Sequence, residues 1–315
     1  MTTLGIEIGG TKLQVAAVSA AGDVVRCLGE RVVAASGADG IRHALARLLV
    51  SICREMQAIG HDVAAAGIGF GGPVRRDRGE VIESFHVGGW SGFPLAAWVA
   101  ETVRDHLGSI PVVLENDANA AALAEATVGA GRDSRVVVYS NVGSGIGAGL
   151  VIAGRIYHGR AGGEMELGHL RIAAAGGVLE HVASGWALDR LVRERVAADP
   201  AGDLAKAAAG GVPSARLLGP VLAAGSTAAQ EILDGAAGHY AGALAQVVQL
   251  LNPDVIVLGG GVSLIGEPWR RSVERHLEPL VMDALRPAPP VRLAALGDMV
   301  VPVGAAITAL GTVAT

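Results

Sequence analysis

The sequence predicts an α/β fold of two domains, and three observations carry that prediction. Segments with strand-like patterning alternate with segments of helical period, as in α/β proteins. A strand ending in a glycine turn occurs at "GIEIGGTKLQVAAV" (5–18) and again about 130 positions later at "SNVGSGIGAGLVI" (140–152), which suggests two related halves. The 315 residues are 51% hydrophobic but only 3% aromatic, so they can bury a large core of Ala, Val, Leu and Ile.

The elements follow in order. Leu4 to Ile8 reads as a strand and Gly9-Gly10-Thr11 as a turn. An alternating run comes next, with Leu13, Val15 and Ala17 on one face and Gln14, Ala16 and Val18 on the other. Gly40 to Ile59 has helical period, and Val63 to Phe70 is a buried-strand run. Residues 93–108 form a helix opened by Pro94 in its first turn and closed by Gly108. "PVVLENDANAAALAEA" runs from a strand straight into an alanine-rich helix. Ser134 to Val142 is strand-like, Gly143-Ser144-Gly145 a turn, and Ile146 to Ile152 a second strand. Beyond about residue 184 the chain is mostly helical, with a long run ending at Leu251 and an Ala/Gly-rich loop at 207–215. "PDVIVLGGGVS" is a strand ending in glycines, and a last helix starts near Pro302.

Charge and cysteine usage exclude several classes. The formal net charge is −5 and there is no basic run, which argues against a nucleic-acid surface built on phosphate neutralisation. Cys27 and Cys53 form no Cys-x-x-Cys pattern, as expected of a reduced, cytoplasmic protein. Glu7 and Lys12 interrupt the first apolar stretch, so it does not read as a secretory signal. Residues 136–154 carry no charge over 19 positions, nominally enough to span a membrane. Glycines with Ser140, Asn141 and Ser144 break that stretch, so turn chemistry is expected there and no membrane span.

The first glycine turn suggests phosphate, and its surroundings narrow the kind of site. A P-loop needs Lys followed by Ser or Thr and then a helix, and the dinucleotide fingerprint also needs a helix. Here Thr11 precedes Lys12 and a strand follows, so the expectation is a hairpin whose backbone N–H groups face a phosphate. A plain tight turn is the competing reading, as an exposed hairpin charge is for Lys12, one of two lysines in the chain. In Glu115-Asn116-Asp117 a carboxylate at a strand-to-helix junction suits a general base for a hydroxyl nucleophile. Helix capping by Asp117 is the local alternative. Glu166, His169 and Glu180 supply the convergent donors and acceptors that hydroxyl-rich ligands need, with a structural histidine and a solvated loop carboxylate as the competing readings.

"GIEIGGTK", "ENDANAAALAE", "NVGSGIGAGLVIAGRIYHG", "ELGH", "LEHVASG" and "DVIVLGGG", in that order from Gly5 to about Gly304, resemble the ROK family of repressors and sugar kinases. The resemblance implies the two-domain actin-like, ribonuclease H-like ATPase fold with a cleft that closes on the sugar, excluding water. It implies an ATP-dependent sugar kinase with Mg²⁺, glucose phosphorylated at its 6-hydroxyl being the default. Asp117 becomes the catalytic base. Asn116, Glu166, His169, Glu180, Gly72 and His86 become sugar ligands. Gly9, Gly10, Thr11, Lys12, Gly143, Ser144, Gly145, Gly260 and Gly261 become the nucleotide site, and Glu7 the residue that holds Mg²⁺ through water. "GEMELGH" also offers Glu164, but spacing to His169 favours Glu166.

The chain departs from the family pattern in three places. Glu7 stands where the family has aspartate, which keeps the charge on a longer side chain. His86, in "FHVGGW", replaces an asparagine in a sugar-touching loop, a change that bears on substrate choice unless the ring points into solvent. Many relatives carry three cysteines after the "GH" motif that bind structural zinc together with its histidine. Here "GHLRIAAAGGVLE" runs from His169 to Glu180 without one, so no structural zinc is expected and a hydrogen bond is expected to orient the His169 ring.

The expected domains are residues 1–112, completed by a C-terminal helix at 299–315, and residues 113–298. An N-acetylhexosamine, fructose, an aminosugar or a cyclitol are the alternative substrates, and a homodimer is an option the resemblance allows. The rivals from another class are a non-catalytic sugar-binding protein and a sugar-responsive regulator. A family repressor carries a helix-turn-helix segment ahead of the first glycine hairpin, and four residues precede Gly5 here.

Overall fold

The computed structural model describes residues 1–84, 87–160, 164–172 and 176–313. The chain separates into two compact units, Met1–Arg132 with Gly149–Glu164 and Leu296–Thr315, and Asp133–Ala148 with Met165–Ala295. Residues 113–132 and 149–164 therefore belong with the first unit, whereas the division expected from the sequence put them in the second.

The first unit opens with β1 (Thr2–Ile8), β2 (Lys12–Ser19) and β3 (Val24–Arg31), followed by α1 (Gly37–Ala58) and β4 (Val63–Phe70). A short ladder of β5 (Val74–Arg75) and β6 (Glu80–Val81) precedes α2 (Leu95–Leu107), β7 (Val112–Asn116) and α3 (Asp117–Thr127). The sheet order is β3-β2-β1-β4-β7, with β1–β3 antiparallel and β4 and β7 parallel to β1. Pro94 caps α2 at its start, and Gly108 ends it at φ 70°, as the sequence signals imply.

Both faces of β2 are covered, which explains why both alternating sets are apolar from Val15 to Val18. Leu13, Val15 and Ala17 join the core that holds Ile41, Leu45, Leu49 and Ile52 of α1. Ala16 and Val18 pack with Ala124 of α3 and Val303 and Ala306 near the C-terminus. On that second face, glycines admit backbone where a side chain would stand. A Cβ on Gly5 would lie 1.8 Å from Pro302 O, and one on Gly67 1.8 Å from Ala305 O.

The second unit opens with β8 (Val136–Val142), the glycine turn and the start of β9 (Ile146–Ile152), while the rest of β9 and β10 (Arg155–Ile156) fall in the stretch assigned to the first unit. The hairpin β11 (Arg171–Ile172) and β12 (Gly177–Val178) leads into α4 (Glu180–Ala183) and α5 (Gly185–Ala198). Then come α6 (Asp203–Ala207), α7 (Leu218–Ala223), α8 (Thr227–Leu251), β13 (Val255–Gly259), α9 (Glu267–Leu277) and β14 (Val291–Leu293). The chain ends on α10 (Val300–Leu310), which returns to the first unit. The second sheet has the order β10-β9-β8-β13-β14, with β8, β13 and β14 parallel. Among the described residues no helix is long and apolar enough to cross a membrane.

Candidate active site

In the first unit the site is built on the ends of β1, β4 and β7. The turn after β1 closes through Gly9 N–H to Lys12 O at 2.9 Å, leaving Gly10 and Thr11 exposed. Gly71, just past β4, donates its N–H to Ile8 O at 2.9 Å. A Cβ on Gly71 would lie 3.4 Å from Asp117 Oδ2 and 3.6 Å from Gly9 Cα, so the carboxylate and the glycine turn border the same spot. Asn116, not Asp117, is the helix cap. Its Oδ1 accepts from Ala118 N at 2.9 Å and Asn119 N at 3.2 Å, while its Nδ2 donates to Gly72 O at 3.2 Å. Asp117 is the first residue of α3, and its Oδ1 accepts from Ala118 N at 2.8 Å.

Glu7 is half-buried beside this turn. Burial pushes its carboxyl up to about 8; the Lys12 charge opposes that rise, and Asp117 and Asp298 add to it. Gln14, in the amide orientation that satisfies both its groups, donates to Glu7 Oε2 at 3.0 Å and Asp298 O at 3.1 Å. Lys12 forms an ion pair with Asp298. Carboxylate oxygens gathered at a phosphate-type turn are the donor chemistry of a hard divalent cation such as Mg²⁺, and neutralising the repulsion between them is what such an ion would supply.

In the second unit the glycine turn, "ELGH" and Glu180 form one assembly. Gly143 N–H donates to Gly145 O at 2.9 Å, and Gly185 N–H donates to Gly143 O at 2.7 Å. Ser144 and Gly145 are half-buried. Glu180 Oε2 accepts from Ile146 N at 2.8 Å. Glu166 is exposed and precedes the turn Leu167–His169, in which His169 N–H donates to Glu166 O at 3.1 Å. Gly168 packs so closely that its Cβ would lie 2.4 Å from Ile146 O. Gly260, at φ +80°, sits against Val142, where a Cβ would lie 2.6 Å from the backbone; Gly261 is exposed. The His169 ring has no hydrogen-bond partner among the described residues.

Several residues of these assemblies were not singled out by sequence reasoning. Ser184 caps α5 through Ala187 N at 3.2 Å, which sets a helix N-terminus against the Gly143 turn, an anion-favouring arrangement. "LEHVASG" contains both Ser184 and Gly185, so the signal was present as a cap before a helix. Glu115, Asn119, His158 and Arg76 also cluster in the first unit, although their separation along the chain hides it. His86 lies outside the described residues; farther along its loop Trp90 is 1% exposed, with the Arg42 guanidinium 5.2 Å from its ring centre.

The ROK family model matches residues 3–312. A glucokinase of Streptomyces coelicolor is 32% identical over 320 residues, covering 96% of each chain. A glucokinase of Halalkalibacterium halodurans is 29% identical, covering 94% of this chain and 91% of the relative. The crystal structure of a ROK family glucokinase from Streptomyces griseus with glucose and AMPPNP is 30% identical, with a TM-score of 0.83 over 99% of this chain and 100% of that one.

Proposed function

This chain belongs to the ROK family, and on that premise we propose that it transfers the γ-phosphoryl group of ATP to a sugar hydroxyl, that of glucose at position 6. The glucokinase relatives that match nearly the whole chain support both the kinase activity and the sugar. One observation carries the mechanism: Asp117 Oδ2 and Gly9 border the same glycine-lined spot, beside the phosphate-type turn.

Asp117 takes the proton of the attacking hydroxyl, and its place at the first turn of a rigid helix keeps the carboxylate aimed. Asn116 presents the second N–H of its amide to the sugar, with Gly72 alongside. Glu166, His169 and Glu180 bind further hydroxyls as acceptors and donors, and the family pattern assigns His86 to the sugar as well. Gly9 and Gly143 close the two turns, so that Gly10, Thr11, Ser144 and Gly145 offer N–H groups and Lys12 a cation to the phosphates, and Gly260 and Gly261 give the nucleoside a close approach to backbone. Glu7 would hold Mg²⁺ through water, and the chemistry such an ion would supply there is neutralisation of charge on the transferring phosphoryl group. His169 works without zinc: the β11–β12 hairpin and the Leu179 N–H to Leu170 O bond at 2.9 Å close the loop that thiolates close elsewhere.

A coupled ADP-release assay with Mg²⁺-ATP over glucose, mannose, fructose, N-acetylhexosamines, aminosugars and cyclitols tests the reading. Glucose is expected to give the highest kcat/KM. Preference for another of these sugars would move the substrate, and no turnover with any would favour a non-catalytic sugar-binding protein.

A further inference from the structure

Two residues before the base stands a carboxylate that the transfer step does not use. Glu115, at the end of β7, has a side chain 1% exposed, yet it accepts three hydrogen bonds and forms one ion pair. Oε1 accepts from Asn116 N at 3.0 Å and Asn119 Nδ2 at 3.1 Å. Oε2 accepts from His158 Nε2 at 2.9 Å and forms an ion pair with Arg76, whose Nε lies 2.8 Å away. Asn119 Nδ2 also donates to Glu164 Oε1 at 2.7 Å. Arg76, residues 115–119, His158 and Glu164 are thereby fastened at the junction that presents Asn116 and Asp117.

Two simpler accounts fit less well. Glu115, His158 and Glu164 could offer a cation three ligand atoms within 4.8 Å of one another. However, a guanidinium and an imidazole already hold Glu115 Oε2, and the group between the two carboxylates is an amide donor, which repels a cation. Stability alone is also a weak reason to bury this charge, because well-packed apolar residues commonly serve a fold as well as a buried ion pair. What the cluster does supply is position. The Asn116 N–H is held by Glu115 Oε1 while the Asn116 side chain caps α3, and Asp117 Oδ1 accepts from Ala118 N, so neither residue can turn without breaking a charge-assisted bond.

We propose that Glu115 is a positioning residue for phosphoryl transfer, holding Asn116 and Asp117 in register for the sugar through its three hydrogen bonds and the Arg76 ion pair. The inference rests on Asp117 being the base. Misplacing a catalytic group by about 1 Å costs up to about 10²-fold in rate. Glu115→Gln keeps the shape but turns an N–H₂ group toward donors, so it should lower kcat by about 10- to 10²-fold while changing KM for glucose and ATP little.

The test is a double-mutant cycle of Glu115→Gln with Asp117→Asn, measured on the full chain with glucose and Mg²⁺-ATP. If Glu115 acts through Asp117, the double variant is no slower than Asp117→Asn alone. The same fold-loss in both backgrounds, or an unchanged kcat in Glu115→Gln, overturns the proposal while leaving the base reading intact. Near-wild-type turnover in Asp117→Asn overturns the base reading and this inference with it. His158→Gln removes one donor to Oε2 and serves as a milder second variant, for which the same cycle predicts a smaller kcat loss that disappears in the Asp117→Asn background.

Discussion

Gly145 and Glu180 occupy one space: a Cβ on Gly145 would lie 2.4 Å from Glu180 Oε2, the oxygen that accepts from Ile146 N at 2.8 Å. The turn proposed for phosphate and the carboxylate proposed for the sugar are therefore set by the same contact. Gly145→Ala should displace the Glu180 carboxylate or the turn, and so raise KM for glucose and for ATP together. Steady-state kinetics checks this, and a change confined to one substrate would separate the two.

The glycines under α10 are a stability feature. A Cβ on Gly67 would lie 1.8 Å from the Ala305 carbonyl oxygen, a backbone atom that can move only with α10. Gly67→Ala should destabilise the protein by about 3 kcal/mol or more, the upper range for overpacked cores. Thermal or urea unfolding compared with wild type measures it.

Glu115 gives acid stability a definite sign. Burial by itself would raise its carboxyl, but the His158 hydrogen bond, the Arg76 and His158 charges and the Asn116 N–H outweigh it and hold the group below the usual carboxylate range. The stabilisation is complete above the unfolded-state value of about 4.3 and is lost as pH falls through the lower folded-state value. Wild type should exceed Glu115→Gln in stability near neutral pH by more than it does below about pH 4, as urea midpoints at the two pH values would show.

The loop from His169 to Glu180 bears on metal content. With no cysteine between those residues and a two-stranded ladder closing the hairpin, purified protein should hold far less than one zinc per chain. Activity should survive a zinc chelator once Mg²⁺ is resupplied. Elemental analysis and the chelation assay check both.

Local patterns made several elements legible. The apolar alternation at 13–18 marks β2, and Pro94 and Gly108 bracket α2. The motif glycines and Glu180 were legible as a set because each sits at the end of a strand or the start of a helix. The unit boundary was not. α3 joins the first unit because Gly304 of α10 packs where a Cβ would lie 1.8 Å from Ala120 O, and no local pattern encodes a contact between such distant positions. Adjacent Asn116 and Asp117 are both good caps, so sequence left the roles open until the Asn116 hydrogen bonds assigned the cap. Glu115 lay inside a recognised motif, but its partners Arg76 and His158 come from segments with no motif of their own.

The most direct measurement is kcat of Asp117→Asn with saturating glucose and Mg²⁺-ATP, alongside glucose binding by calorimetry. The amide keeps the shape of the side chain and removes the basic oxygen. Turnover should fall by about 10² to 10⁴-fold, the usual worth of general-base catalysis, with glucose affinity largely kept. A variant retaining more than about a tenth of wild-type kcat would contradict the assignment of Asp117 as the base.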